Sequence, residues 1–265
     1  METSVIVITG GSGTIGLALV EGLARAGHRV ILLDRRAPRG RAHARRLSAA
    51  GLNVQTVCGD VLNEADMERT ANEVMDAAGR IDVLINCAGG NQRGATIMPD
   101  ESFFATDSDA FRRVSELNFM GSVIPSRYYG RHMATAGKGS IINVSSMAAL
   151  TPITRVAGYG ASKAAITNFT RWLAVELAHK HGSGLRVNAI APGFLVAEQN
   201  RALLLHPDGS LTDRGQRIID HTPLGRFGRP EELLSTIEWL IDERSAFVTG
   251  IVVPIDGGFS AYCGV

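Results

Sequence analysis

The sequence predicts an α/β protein built on a Rossmann-type, doubly wound parallel sheet of seven strands in the order 3-2-1-4-5-6-7, with helices on both faces. Three observations predict it. Short runs rich in valine, isoleucine and leucine alternate with longer amphipathic stretches along all 265 residues. Several of the short runs are apolar throughout, as parallel strands buried on both faces are. A glycine-rich turn, Thr9-Gly-Gly-Ser-Gly-Thr-Ile-Gly16, joins the first strand to the first helix.

Strands are expected at Val5–Thr9, Arg29–Asp34, Asn53–Gly59, Val83–Asn86, Gly139–Ser145, Leu185–Ile190 and Ile251–Ile255. The first helix, Ile15–Ala26, stops before Gly27, a C-terminal cap. Ala65–Ala78 stops before Gly79 in the same way. Ser108–Ala136 is long and contains Pro125, where a kink is expected. Tyr159–His181 follows, and Pro230–Asp242 opens with proline in its first turn. Two stretches exceed simple connections, at about 90–107 and 191–222. Both follow the carboxyl ends of strands, where such sheets bind ligands. They read as substrate loops, the second carrying a small helical lid. With no linker and no repeat, residues 1–265 read as one domain, which this length allows.

Composition narrows the function. With 27 basic and 26 acidic residues the net charge is +1, so neither a nucleic acid nor a membrane surface is an expected partner. No run reaches about 18 apolar residues, and Met1–Thr9 reads as a first strand, not a signal peptide. The expected location is the cytoplasm. The three cysteines, Cys58, Cys87 and Cys263, are too few and too scattered for a disulfide framework. Cys58 and Cys87 are expected as small hydrophobes in buried strands. No Cys/His cluster has metal-ligand spacing, so no metal is expected.

The glycine turn makes Gly10, Ser12, Gly13, Thr14, Ile15 and Gly16 candidates for cradling a dinucleotide pyrophosphate at a helix N-terminus. Asp34, ending the second strand, can accept hydrogen bonds from the adenosine ribose hydroxyls and repel a 2′-phosphate. NAD is therefore the expected cofactor, with NADP the alternative because Arg35 and Arg36 follow directly. Asp60 and Val61 close the third strand, where the acid can hold the adenine amino group or cap the next helix.

The chemistry is carried by Tyr159-Gly-Ala-Ser-Lys163, with Ser146 thirteen residues upstream. Four residues apart on a helix, Tyr159 and Lys163 share one face. An ammonium beside a phenol is expected to draw the phenol's pKa down from about 10. The phenol then serves as acid and base where hydride moves between a nicotinamide and a carbonyl carbon.

Together these residues resemble the short-chain dehydrogenase/reductase family over nearly the whole chain. The resemblance rests on Thr9–Gly16, Asp60, Asn86-Cys-Ala-Gly89, Asn118, Asn143-Val-Ser-Ser146, Tyr159–Lys163, Pro192-Gly193 and Asp256-Gly-Gly258. Within it, Ala88-Gly-Gly-Asn91, Asn118-Phe-Met-Gly121, Ala191–Arg201, His221–Gly228 and Phe259–Val265 are similar to the D-mannonate oxidoreductase (fructuronate reductase) type. Two positions depart from the common family pattern. Thr14 stands where a glycine is usual, and Ala197 where a threonine often contacts the nicotinamide carboxamide.

The resemblance implies catalytic roles for four residues. Tyr159 is the general acid or base, and Lys163 holds its pKa and the nicotinamide ribose. Ser146 bonds the reacting oxygen, and Asn118 orders a water behind Lys163. It places Asn86, Ala88, Gly89, Pro192 and Gly193 among the cofactor residues, and it implies a homo-oligomer, dimer or tetramer. A sugar-acid substrate, D-fructuronate or D-mannonate, would need a cation and amides nearby. Asn91, Arg93, Met147, Arg155, Gln199, Asn200 and Arg201 are the candidates, with Arg155 and Arg201 favoured as carboxylate anchors. Other substrates with the same machinery (a keto-gluconate, a deoxy-keto-uronate, a 3-oxoacyl or sterol ketone) form a second reading. A non-catalytic nucleotide sensor forms a third.

Overall fold

The structure, a computed structural model, describes residues 3–198 and 200–264. Seven strands form one all-parallel sheet in the order β3-β2-β1-β4-β5-β6-β7. They are β1 Val5–Thr9, β2 Arg29–Asp34, β3 Val54–Cys58, β4 Val83–Asn86, β5 Gly139–Val144, β6 Leu185–Pro192 and β7 Val252–Ile255. The helices are α1 Thr14–Arg25, α2 Ala37–Ala49, α3 Glu64–Ala78, α4 Ser108–Ala136, α5 Ala157–His181, α6 Arg201–Leu204, α7 Asp213–Asp220 and α8 Leu234–Ile241.

The alternation of side chains along each strand divides the core in two. Ile6, Ile8, Val30 and Leu32 pack on one face with Leu19 and Leu23 of α1 and Ile237 and Leu240 of α8. Val5, Val7, Ile31 and Leu33 pack on the other with Met67 and Val74 of α3 and Tyr129 and Met133 of α4. Fully burying one such aliphatic side chain is worth about 1.5–3 kcal/mol, so both layers hold the strand ends in fixed register.

Some expectations need correction. Helix α2 is absent from the sequence reading because its segment is polar, with Pro38 and Gly40 inside it and only Gly40, Ala44 and Leu47 buried. Proline in the first turn is nonetheless compatible with a helix. The stretch 230–242 opens as a 3-10 turn at Pro230–Leu233 before α8 begins. Cys58 is exposed, because β3 is an edge strand and its last residue faces out. Asn63, not Asp60, caps α3 by accepting from the Asp66 amide. Pro125, where the kink is expected, lies inside α4. Among the described residues no helix is long and apolar enough to cross a membrane, and no group of three or more His, Cys, Asp or Glu side chains could hold a metal ion.

Candidate active site

The strand order reverses between β1 and β4, and a cleft of about 520 Å³ opens at their carboxyl ends. Gly10, Gly13, Thr14, Ile15 and Gly16 line it, with Asp34, Arg35, Asp60, Val61, Ala88 and Gly89. Gly10 has φ +64°, and a Cβ there would lie 2.8 Å from the Ala88 Cα, so the turn needs glycine at this position. Gly13 is extended and no side chain caps α1. The amides of the first turn are therefore left for an anion. The exposed Thr14 side chain does not obstruct the turn, which accommodates the departure from the family pattern. This cradle fits a dinucleotide pyrophosphate.

Asp34 is buried; its Oδ2 accepts from the Ser12 amide at 3.3 Å and its Oδ1 from the Arg36 amide at 2.8 Å. Its carboxylate thus ties the glycine turn to the end of β2. Arg36 Nε lies 3.4 Å from Asp34, and Arg35 lies 3.8 Å from Asp60. Arg39 reaches across the cleft mouth to Glu198 at 3.7 Å.

Asn86 and Ser12, expected among the cofactor residues, do not line the cleft. Asn86 is buried and donates to Ser126, Asn143 and the Ser122 carbonyl, joining β4 to β5 and α4. Ser12 is buried and its hydroxyl has no partner. Gly193 packs against Asp256, where a Cβ would come within 2.6 Å of the Asp256 Cα, and it lines a smaller cavity with Phe194.

Ser146 sits just past β5, and its Oγ accepts from the Ala148 amide at 3.1 Å. Tyr159 stands in the first turn of α5, near enough to Ser146 for that hydroxyl to lower the phenol's pKa. One turn on, Lys163 Nζ lies 5.6 Å from the Tyr159 ring centroid and donates to the Val144 carbonyl at 2.8 Å. Asn118 completes the group. Its amide exchanges hydrogen bonds with the Gly90 backbone, at 3.0 Å as acceptor and 2.7 Å as donor, and also donates to the Val114 carbonyl. A Cβ on Gly89 would meet Asn118 Oδ1 at 2.6 Å and Lys163 Nζ at 3.3 Å. Glycine is what lets these groups converge.

Burial dominates the titration of this cluster. It pulls the Lys163 ammonium down from 10.5 to about 8 and pushes the Cys87 thiol up to about 11. It also raises the Tyr159 phenol, against the Ser146 hydrogen bond that lowers it. The expected downward pull of Lys163 on Tyr159 is not met among the protein's own groups. The ammonium lies over the ring and is bonded to Val144, and loss of solvent is the largest influence at the phenol.

Among the substrate candidates, Arg155 lines a second pocket of about 710 Å³ with Ile97, Thr154, Phe194, Arg214 and His221. Asn91 donates to Thr96 and keeps a buried Oδ1 without a partner. Arg93 is spent on Glu101 at 2.7 Å. Asn200 holds its own loop, accepting from the Ala197 amide and donating to the Leu195 carbonyl. Met147 is 1% exposed and belongs to the core. Arg201 is exposed at the start of α6, and Gln199 lies outside the described residues. Sequence reasoning missed Arg39 and Glu198 at the first pocket and Arg214, Arg217 and His221 at the second. The signal available for Arg214 was its place on α7, a short segment with a strongly one-sided apolar pattern inside the second loop.

The model of the short chain dehydrogenase family matches residues 4–206. UxuB, an uncharacterized oxidoreductase of Bacillus subtilis strain 168, is 46% identical over 268 residues, covering 98% of this chain and 95% of its own. Among solved structures, a provisional D-mannonate oxidoreductase of Haemophilus influenzae with bound NAD matches with TM-score 0.92 and 41% identity. The match covers 100% of this chain and 98% of that one. A gluconate 5-dehydrogenase of Burkholderia cenocepacia, in complex with NADP and tartrate, matches with TM-score 0.88 and 29% identity over 99% and 97%. With the sheet order and the glycine-lined cleft already described, these likenesses settle the family: the chain belongs to the short-chain dehydrogenases/reductases, and is an oxidoreductase that works on alcohol and ketone groups with a nicotinamide cofactor.

Proposed function

We propose that this enzyme interconverts a keto-sugar acid and its secondary alcohol with NAD(H), and that D-fructuronate and D-mannonate are the pair. The observation that carries the reading is the Ser146–Tyr159–Lys163 cluster next to an arginine-bearing pocket, with Arg155 only four residues before Tyr159. The likeness to the Haemophilus protein supports the substrate and NAD. The buried Asp34 carboxylate beside the glycine turn supports NAD over NADP, because it would face a 2′-phosphate with like charge.

Bound NADH supplies the hydride to the carbonyl carbon. Tyr159, kept as a neutral phenol by burial, gives its proton to the carbonyl oxygen. Ser146 donates to the same oxygen and stabilises the charge that develops there. Lys163, cationic at neutral pH and over the Tyr159 ring, is the positive charge near the phenolate left behind. Asn118 fixes the Gly90 backbone beside Lys163 and so holds the floor of the site. In oxidation of the alcohol each transfer runs in reverse.

The enzyme is further proposed to be cytoplasmic and homo-oligomeric. The α4/α5 surface exposes Trp172 (57%) and Val175 (56%), with Phe119, Phe169 and Trp172 in an aromatic row. Contiguous apolar surface of this kind suits a second copy of the chain. A keto-gluconate is the second substrate reading, favoured by the gluconate 5-dehydrogenase likeness.

The test is loss of NADH absorbance with D-fructuronate, 5-keto-D-gluconate, a 3-oxoacyl ester and a neutral keto-sugar, with the alcohol product identified. Turnover of fructuronate to mannonate above the others supports the reading. Turnover confined to the ester or the neutral sugar overturns it.

A further inference from the structure

We propose that Arg155 and Arg214 form a two-guanidinium clamp for the substrate's carboxylate, so that the lid helix α7 recognises an acid where a neutral sugar would offer only hydroxyls. The inference rests on the keto-sugar-acid reading and names the groups that would enforce it.

Four observations meet at this place. Arg155 and Arg214 both line the second pocket, and each is partly buried. Neither has a carboxylate within ion-pair distance among the described residues; Asp213 also lines the pocket but is exposed and pairs with neither. Arg155 is the one non-glycine residue with positive φ among those described, at +76°. That conformation is uncommon outside glycine and costs energy wherever it persists. It is held by the Ile97 amide, which donates to the Arg155 carbonyl at 3.0 Å. The loops after β4 and before α5 are thereby tied together, and Arg155 is set at the pocket wall.

The fourth observation is the seating of Arg214. Its two terminal nitrogens donate to the Thr154 hydroxyl at 3.1 Å and the Thr154 carbonyl at 3.3 Å. Those bonds bring the guanidinium of α7 next to Arg155 and leave its other donors without a protein acceptor among the described residues. Partial burial and the charge of Arg155 both lower Arg214's hold on its proton. Two like charges, partly desolvated and side by side, are unfavourable until an anion joins them. Guanidinium suits a carboxylate because it can grip both oxygens. Arg217, three residues on and also at the pocket, adds a third positive charge.

The pocket lies in the same region as Tyr159: Ile97 lines it, and Tyr159 packs against Ala95 two residues earlier. Arg155 and Tyr159 are four positions apart, a reach of at most about 14 Å even for extended chain. A six-carbon chain with a ketone near one end and a carboxylate at the other is of this scale. Phe194, His221 and Phe259 form an aromatic part of the wall, with the Phe194 and His221 ring centroids 5.3 Å and 4.7 Å from that of Phe259.

The experiment is calorimetry on the enzyme–NADH complex, which cannot react with an alcohol, using D-mannonate, D-gluconate and D-mannitol. Wild type, Arg155→Gln, Arg214→Gln and Arg214→Lys are compared, each checked for NADH affinity and circular dichroism. Wild type is expected to prefer the hexonates over mannitol. Either glutamine variant should cut that preference by about 10-fold to 100-fold, the range for a charged hydrogen bond, with NADH and mannitol affinity unchanged. Arg214→Lys should retain part of it. Equal binding of hexonate and hexitol by wild type, or full preference in both glutamine variants, overturns the clamp. If the hexonate preference behaves as expected but fructuronate is not reduced, the clamp stands and the fructuronate assignment falls.

Discussion

Lys163 is buried without a carboxylate partner among the described residues, and replacing it should make the cofactor-free protein more stable at neutral pH while abolishing its chemistry. Its proton affinity falls from 10.5 to about 8, and burial is the first cause. At about 1.4 kcal/mol for each pH unit, that fall amounts to about 3 kcal/mol. The sign follows from proton counting. Below about pH 8 both folded and unfolded chains hold the proton, and the folded state carries the full cost of a buried ammonium. Between about 8 and 10.5 the folded chain has lost the proton and the unfolded chain still binds it. Unfolding free energy therefore rises with pH through that window. In Lys163→Met the cost is absent, but the Val144 carbonyl loses its donor, which returns about 1 kcal/mol. The variant should thus be more stable than wild type by about 2 kcal/mol at pH 7. The gap should close with rising pH, and wild type should be ahead by pH 10.5. Urea unfolding followed by the fluorescence of Trp172 and Trp239 measures this directly. A wild type already more stable at pH 7, by a margin that does not change with pH, would refute the reasoning.

Asp34→Asn removes the charge that faces the adenosine end while keeping an acceptor for the Ser12 amide. With Arg35 and Arg36 beside it, NADPH binding should gain on NADH by about tenfold, or about 1.4 kcal/mol, read by fluorescence titration of each cofactor. Gly10→Ala forces a methyl group to 2.8 Å from the Ala88 Cα at φ +64°. It should abolish NADH binding or fold poorly, and unimpaired NADH affinity would contradict the account of the turn. Because burial raises the Tyr159 phenol, alcohol oxidation needs a base that is scarce at neutral pH. Its kcat/KM should climb as pH rises above 7, whereas ketone reduction, which needs the phenol protonated, should not.

The fold was legible because the inner strands carry their burial in their own letters. Val5–Thr9 and Arg29–Asp34 are apolar on both faces and appear with the bounds that periodicity predicts. Helix α2 was not, since Gly40, Ala44 and Leu47 alone bury and no apolar stripe marks it. Spacing on one helix brings Tyr159 and Lys163 together, but their titration depends on how much solvent the whole fold removes, which no local pattern encodes. The second pocket was least legible. Arg93 and Arg201 look as suitable as Arg155 and Arg214 in a string of residues. Only tertiary structure spends Arg93 on Glu101 and seats Arg214 against Thr154.

The central claim is that Tyr159 is the proton donor of a hydride-transfer site, and Tyr159→Phe tests it most directly. The variant keeps the ring against which Ala95, Ala110 and Val114 pack and removes only the phenolic hydroxyl. NADH binding and ketone reduction should be measured on the same preparation. The account predicts NADH affinity within about threefold of wild type and reduction slowed by about 100-fold or more. Reduction at the wild-type rate by the phenylalanine variant would contradict it.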